Sequence, residues 1–261
     1  MKALSLYPPP GREVPSIYED LELPPTGQQG AGRPYVVINM VSSVDGRTTA
    51  EGKAAGMGSG IDRQAMRTLR SKSDAVMIGA GTLRAETLSL GLDASDATPP
   101  LAIIVTNTGD LPLEEHLIVK GGQEVVVLLS DEVPREIAGR LHGLAQVTMV
   151  PADASGAVDL YRAMQALRAE LGVEVVIVEG GPALNHALIS RNLVDELFLT
   201  VAPELLGGTS TGGLTLLRGP EIPACARPTL ELLSIHLADG ELFLRYSLNR
   251  TSPSLSSERD P

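Results

Sequence analysis

The chain alternates short continuous apolar runs with segments of helical period, and glycines mark most of the junctions. Residues 35–41, 75–78, 101–105, 125–129, 147–150, 175–178 and 196–201 read as strands, most of them rich in Val, Ile and Leu. Apolar character on both sides of a strand is what a buried parallel sheet requires. Between them, a helix is expected from Asp62, with Ile61, Ala65 and Leu69 on one face. Others follow at 134–144, at 159–171 (Leu160, Met164, Leu167 and Leu171 at core spacing) and after Pro182. Residues 230–236 and 241–247 form a hairpin around Asp239-Gly240, a pair suited to a two-residue turn. The pattern predicts one α/β domain over 35–249: a mixed, mostly parallel sheet flanked by helices, with a C-terminal antiparallel hairpin. Residues 1–34 are broken by Pro8-Pro9-Pro10-Gly11 and Pro24-Pro25 and read as an irregular arm. Within that arm, Ile17-Tyr18 and 21–23 are expected to pack on the domain. Residues 51–60 read as a mobile glycine-rich loop, and 250–261 as a frayed Ser- and charge-rich tail.

One junction carries more information than the rest. The strand 175–178 runs into Glu179-Gly180-Gly181-Pro182-Ala183-Leu184-Asn185, after which a helical pattern begins. Glycines there let the backbone approach a ligand and leave the first helical N–H groups unpaired, where the helix dipole favours an anion such as a phosphate. Proline at the first helical position removes a donor that has no intrahelical partner in any case. A ligand-free tight connection has the same local pattern, and the motif is not the G-x-G-x-x-G of dinucleotide-binding folds. Two other turns fall at strand ends: Ser43-Val44-Asp45-Gly46 and Gly79-Ala80-Gly81-Thr82. If the three strands are neighbours, these turns make one cleft with two phosphate-accepting backbones and two carboxylates, Asp45 and Glu179.

Composition narrows the chemistry. A net charge of −11 and only 3% aromatic residues argue against nucleic acid as a partner. Cys225 is the only cysteine, and the four histidines are scattered, so neither a disulfide nor a metal site is expected. The lone cysteine also excludes the zinc deaminase signature. No apolar run approaches a membrane span and the N-terminus lacks a signal-peptide core, which points to a cytoplasmic protein with no membrane partner. Without a Ser-His-Asp arrangement or a Walker loop, the cleft best suits a dinucleotide cofactor that carries the chemistry while the protein orients it.

Several blocks together resemble the pyrimidine reductases of riboflavin biosynthesis, the domain found at the C-terminus of the bifunctional deaminase–reductase and as a stand-alone enzyme. The blocks are Tyr35 through Gly46, Leu69-Arg70, Ser73-Asp74-Ala75, Gly79-Ala80-Gly81-Thr82-Leu83 and Val178-Glu179-Gly180-Gly181-Pro182. Leu193-Val194-Asp195-Glu196-Leu197 and Ala202-Pro203-Glu204-Leu205-Leu206-Gly207-Gly208 continue them in family order. The resemblance implies a dihydrofolate-reductase-like fold, NADPH, a homodimer, and reduction of a ribosylaminopyrimidine 5′-phosphate to its ribityl form. It implies cofactor contacts from Val41, Gly79, Thr82, Glu86, Thr106, Asn107 and the turn through Gly180, Gly181, Pro182, Ala183, Leu184 and Asn185. Asn39, Arg70, Leu90 and Glu179 would face the substrate, with Glu179 and Asp45 as candidate catalytic carboxylates. Glu179 suits ribose hydroxyls or a positive imine nitrogen, and Arg70 a phosphate or a pyrimidine carbonyl. Arg70 also reads as a solvated helix residue, and Asp45 as a residue that fixes its own turn.

The chain departs from the family where it reads Ala85-Glu86-Thr87-Leu88-Ser89-Leu90 in place of Ala-Asp-Asp-Pro-Arg-Leu, and where an expected phosphate-gripping arginine falls near Asp93. Two further readings therefore stand beside the riboflavin-pathway reductase: a reductase of another small heterocycle such as a pterin or dihydrofolate, and a non-catalytic NADPH-binding protein. Arg47, Arg63, Arg67 and Arg84 are candidates to replace the missing phosphate contact, and Ser130 and Arg135 to meet a 2′-phosphate.

Overall fold

The computed structural model describes residues 3–8, 11–24, 32–50, 53, 56–92, 98–120, 122–208 and 213–249. Asp93, Ala54, Ala55 and the tail from 250 onward lie outside these residues. Among the described residues, eleven strands make one sheet: β1 (Ala3–Tyr7), β2 (Arg12–Val14), β3 (Tyr35–Ser43), β4 (Ala75–Gly79), β5 (Leu101–Thr106), β6 (Val125–Ser130), β7 (Gln146–Val150), β8 (Val175–Val178), β9 (Glu196–Ala202), β10 (Thr229–Ala238) and β11 (Glu241–Asn249). Their order is β2-β1-β10-β11-β9-β3-β8-β4-β5-β6-β7. The seven from β9 to β7 run parallel, and β11, β10, β1 and β2 continue the sheet antiparallel. The helices are α1 (Gly60–Ser71), α2 (Ala80–Ala85), α3 (Leu117–Lys120), α4 (Arg135–Leu141), α5 (Leu160–Leu171) and α6 (Pro182–Ser190).

Strand alternation sorts side chains to two faces. Val36, Ile38, Met77, Ile103, Val126, Val176 and Val178 pack under α5 and α6. On the other face Val37, Ile177 and Phe198 meet Ala65 and Leu69 of α1, while Val76, Ile78, Ile104 and Val127 meet Leu83 of α2 and Leu141 of α4. A bidentate ion pair holds the start of β3 to the start of β9: Arg33 meets both Asp195 oxygens at 2.7 Å, and the Val36 N–H donates to the same carboxylate at 2.8 Å.

Several boundaries differ from the sequence reading for local reasons. α1 begins at Gly60 rather than Asp62, because the Ser59 side chain accepts from the Ile61 and Asp62 N–H groups and caps the helix. Gly79-Ala80-Gly81-Thr82 is not a free turn: Gly79 is the N-cap of α2, and the other three residues form its first turn. The helix expected over 134–144 stops at Leu141. The hairpin strands are longer than expected, joined by Asp239 (φ 51°) and Gly240 (φ 81°) in the left-handed geometry that a two-residue turn needs. In the N-terminal segment read as irregular, β1 pairs with β10 and β2. Its Tyr18 ring stands edge-on to Phe198 at 4.9 Å, with Ile17 and Leu21 buried beside it. No described helix is long and apolar enough to cross a membrane.

Candidate active site

β8 enters the sheet between β3 and β4. The ends of these three strands, and the turns that follow them, therefore lie side by side at the carboxyl edge, where open α/β sheets hold ligands. Glu179 is the first residue past β8, and its backbone N–H still bonds Met77 O at 2.9 Å. Its carboxylate is gripped edge-on by Arg70 in the last turn of α1, Nε to Oε1 at 2.7 Å and Nη2 to Oε2 at 2.6 Å. Both side chains are nearly enclosed, 7% exposed for Arg70 and 12% for Glu179. Arg70 Nη1 donates further to Ser89 O and Gly91 O, each at 3.0 Å, tying the segment after α2 to the same guanidinium. A planar fork is suited to this double task, and lysine could not reproduce it.

The next residues require glycine. Gly180 has φ +92°, and a Cβ there would lie 3.3 Å from Met40 Sδ. Gly181 is the N-cap of α6, and a Cβ on it would fall 2.8 Å from Thr82 Oγ1. The first turns of α2 and α6 thus converge across two glycine N-caps, Gly79 and Gly181, neither with a side chain to satisfy the helix N–H groups. Two open helix starts facing one space favour a bound anion.

Two clefts meet here. The first, about 260 Å³, is walled by Met40, Thr48, Thr49, Glu86, Glu179 and the Gly180–Leu184 turn. The second, about 310 Å³, runs between α2 and α6 over Thr106, Asn107 and Thr108 at the end of β5. They share Gly79, Gly81, Ala183 and Leu184. A strap over 213–218 roofs the first cleft. Thr48 N bonds Leu214 O at 2.8 Å, Leu214 N bonds Thr49 Oγ1 at 3.1 Å, and Arg218 N bonds Pro182 O at 3.0 Å.

Of the residues singled out from sequence, Gly79, Thr82, Glu86, Glu179, Gly180, Gly181, Pro182, Ala183 and Leu184 line the first cleft, and Thr106 and Asn107 the second. Others lie elsewhere. Met40 lines the cleft in place of Val41, since successive strand residues face opposite sides; Val41 pairs with Thr200, and Asn39 with Phe198, on the α1 face. Leu90 is completely buried in the core beneath α2. Arg70 is buried behind Glu179 and acts on the cleft through it. Asn185 is also fully buried, its amide donating to Leu216 O at 3.2 Å. Asp45 is a clamp between loops: it accepts from Ser43 Oγ at 2.6 Å, Leu206 N at 3.1 Å and Gly207 N at 2.7 Å. Those bonds, the Ser43 hydroxyl first, hold its carboxyl down at about 2.

Three features escaped sequence reasoning. Thr48 is 1% exposed, and its hydroxyl oxygen on the cleft wall has no hydrogen-bond partner among the described residues. Arg218 lines the same cleft with no ion pair or hydrogen bond to its guanidinium among the described residues. Asp62, at the start of α1, is pushed up to about 6 by burial and by the nearby Glu241 and Glu179, against a hydrogen bond from Thr200 and the charge of Arg63. Thr48 follows the Asp45-Gly46 turn and is within reach of a motif argument; Arg218 carries no local signal, and Asp62 reads from sequence only as a helix start, with nothing to show its burial.

Comparison with known proteins identifies the architecture. Residues 34–242 match the family described as the RibD C-terminal domain. A 2,5-diamino-6-ribosylamino-4(3H)-pyrimidinone 5′-phosphate reductase of Methanothermobacter thermautotrophicus is 27% identical over 220 residues, covering 83% of this chain and 99% of that protein. The protein of the same name from Aquifex aeolicus is 29% identical over 181 residues, 67% of this chain and 80% of that one. Among solved structures, RibD of Acinetobacter baumannii shares the fold with a TM-score of 0.69 at 24% identity, covering 84% of this chain and spanning 58% of that protein's length. A pyrimidine reductase-like protein of Corynebacterium diphtheriae shares it with a TM-score of 0.70 at 21% identity, over 83% and 92% of the two chains. The chain belongs to the RibD C-terminal domain family.

Proposed function

We propose that this chain is an NADPH-dependent reductase that converts the ribosyl group of a (di)aminopyrimidine ribosylamino 5′-phosphate into a ribityl group in riboflavin biosynthesis. The relatives bearing that reductase name cover most of the chain. The observation that carries the reading is the Glu179 carboxylate, fixed by Arg70, standing beside two uncapped helix starts at the point where β8 parts β3 from β4.

The residues present fit a dinucleotide. The close approach of Gly181 to Thr82 leaves no room for a side chain, and the open N–H groups of α2 and α6 meet where the two clefts join. Gly79, Gly81, Gly181 and the Thr82 hydroxyl would hold its diphosphate. The first cleft would take the nicotinamide end and the second the adenosine. Bound there, the reduced nicotinamide supplies a hydride.

The protein's own part is placement and charge. Glu179 accepts hydrogen bonds from the substrate's ribose hydroxyls and steadies positive charge on the nitrogen attached to the carbon that receives hydride. Arg70 fixes both carboxylate oxygens, so this contact needs no reorganisation as charge develops. The strap and Met40 wall the space from water.

A homodimer belongs to the same proposal. On the α5/α6 side of the antiparallel region, the rows Leu4–Leu237–Leu242–Val201 and Ile235–Leu244 lie in register. These six residues belong to none of the three buried clusters, and Leu4 and Leu242 are 41% and 37% exposed. Such an aliphatic face suits a second copy. The reading also places the chain in the cytoplasm, with the nicotinamide pool.

The test is NADPH oxidation, followed by loss of its near-ultraviolet absorbance, with the ribosylaminopyrimidine phosphate and with dihydrofolate as comparator. Turnover of the pyrimidine alone is expected. Turnover of dihydrofolate alone would move the enzyme to another heterocycle, and oxidation with neither would leave a non-catalytic binder.

A further inference from the structure

One partly buried carboxyl, that of Asp62, has no part in gripping Glu179 or in walling the two clefts. Asp62, Met66 and Arg70 recur every four residues and so share one stripe of α1, about 12 Å from end to end. Arg70 meets Glu179 just past the end of β8, and Asp62 meets the Thr200 hydroxyl near the end of β9. β3 lies between β8 and β9, so the stripe crosses the carboxyl ends of all three strands.

Beneath the stripe, β3 turns Asn39 and Val41 toward α1. Met66 and Val41 are both partly exposed and pack into none of the three buried clusters. The Asn39 amide is partly exposed as well, and it has no hydrogen bond among the described residues. Apolar side chains on both walls, an amide in the middle and a carboxylate at either end suit a flat polar ring. The Glu179 end of this groove adjoins the first cleft.

The two carboxylates are not equivalent. Both oxygens of Glu179 are held by Arg70. Asp62 receives the Thr200 hydroxyl, and no other hydrogen bond reaches its carboxylate among the described residues. The neighbouring Glu241 is occupied in capping: the Ser59 N–H and hydroxyl donate to its two oxygens at 2.7 and 2.6 Å. Of the groups that face Asp62, Tyr18 is neutral, Glu241 and Glu179 oppose its charge, and the exposed Arg63 favours it. An acceptor left under-bonded in such surroundings is satisfied by a ligand that brings donors, and the same negative charges turn a phosphate away.

We propose that Asp62 determines which heterocycle is reduced: its carboxylate accepts, side by side, the N3–H and the 2-amino group of a 2-aminopyrimidin-4-one, and the Asn39 amide completes the contact with the ring's polar edge. The inference rests on the reductase reading, in which Glu179 holds the ribosyl end of the same molecule. The ring attached to that sugar then lies along the stripe, with its far edge at Asp62. Two adjacent N–H donors match the two oxygens of a carboxylate. Replacing the 2-amino group by oxygen sets an acceptor against an acceptor, so the 2-oxo pyrimidine is rejected. The enzyme therefore acts before that replacement, and a hydrolytic deamination must consume its product.

The experiment is steady-state NADPH oxidation with the 2,5-diamino-4-oxo and the 5-amino-2,4-dioxo ribosylaminopyrimidine phosphates, together with calorimetric titration of the full chain by the two ribitylamino products. Wild type is expected to favour the 2-amino substrate by about tenfold or more in kcat/KM, and the 2-amino product by a similar factor in Kd. Asp62→Asn carries an amide that can donate to a 2-carbonyl. It should lose about a hundredfold on the 2-amino substrate, mainly through KM, and hold or gain on the 2-oxo one, so that the preference reverses. Asp62→Ala should level the preference without reversing it. A purely structural Asp62 would move both substrates together. Equal use of both by wild type, or equal losses on both in the two variants, would overturn the assignment while the reductase reading stands. If wild type neither reduces nor binds either pyrimidine, that reading fails and takes the assignment with it.

Discussion

The backbone at Gly181 passes so close to Thr82 that a methyl group on the glycine would sit 2.8 Å from the threonine hydroxyl oxygen. Gly181 itself has φ −75°, which any residue tolerates, so the constraint is space and not backbone geometry. Gly181→Ala should therefore fold and yet push the first turns of α2 and α6 apart. We expect NADPH affinity to drop by about tenfold or more, read by fluorescence titration, with a loss of stability of no more than about 1–3 kcal/mol. Wild-type affinity in this variant would show that the cofactor does not cross this junction.

Glu179→Gln removes the charge and keeps the shape. Turnover should fall by about two orders of magnitude while NADPH affinity moves less than about threefold, a split that separates chemistry from binding. Arg70→Ala leaves a buried carboxylate without its counter-ion and frees the carbonyls of Ser89 and Gly91. It should lower stability by about 3–5 kcal/mol in denaturant titration. An Arg70→Ala protein of wild-type stability would contradict the clamp.

Asp62 gives a pH signature. Its carboxyl titrates near 6 in the folded protein against an ordinary value of 3.8, so the folded state holds its proton more tightly than the unfolded chain. The stability it confers is full below about pH 4, declines between about 4 and 6, and is absent above. Asp62→Asn should therefore be more stable than wild type at about pH 7.5, by on the order of 2 kcal/mol, with the difference gone near pH 4. Denaturant titrations at both pH values decide it. A variant less stable than wild type at the higher pH would mean that the ionised carboxylate is needed by its neighbours.

The Thr48 hydroxyl oxygen, buried without a partner among the described residues, is a destabilising element unless a ligand meets it. Thr48→Val should raise the stability of the unliganded protein by about 1 kcal/mol and narrow the rise in melting temperature on adding NADPH and substrate. An undiminished ligand-induced rise would remove Thr48 from the site.

Glycine and strand signals made the centre of the fold legible. The strands ending at Gly79 and Val178 were placed from sequence because apolar runs stop at residues with special backbone demands. The choice between Met40 and Val41 was not so accessible, since one step along β3 reverses which face a side chain occupies, and only the register with β8 and β9 fixes it. Leu90 shows the same limit: an aliphatic residue near a motif reads equally as substrate wall or core, and here it is core. The sequence reads Arg70 as a substrate contact, but its partner lies 109 residues away, so its work as a clamp is visible only in the fold. At the N-terminus, prolines mask β1 and β2, two short strands held by pairing more than by local propensity: β1 lies between β10 and β2, and β2 is the edge strand.

The placement of β8 also governs how the protein must come into being. β3 and β4 are made early, yet they never touch as partners; each waits for Val175–Val178 to fill the gap between them. A nascent chain that has not yet released this segment has a sheet with its middle missing, and contacts of such long range form slowly. The same four residues deliver Glu179 and the two glycines that follow. An N-terminal fragment that stops short of them carries Arg70 but not Glu179, so the central strand and the carboxylate reach the sheet together.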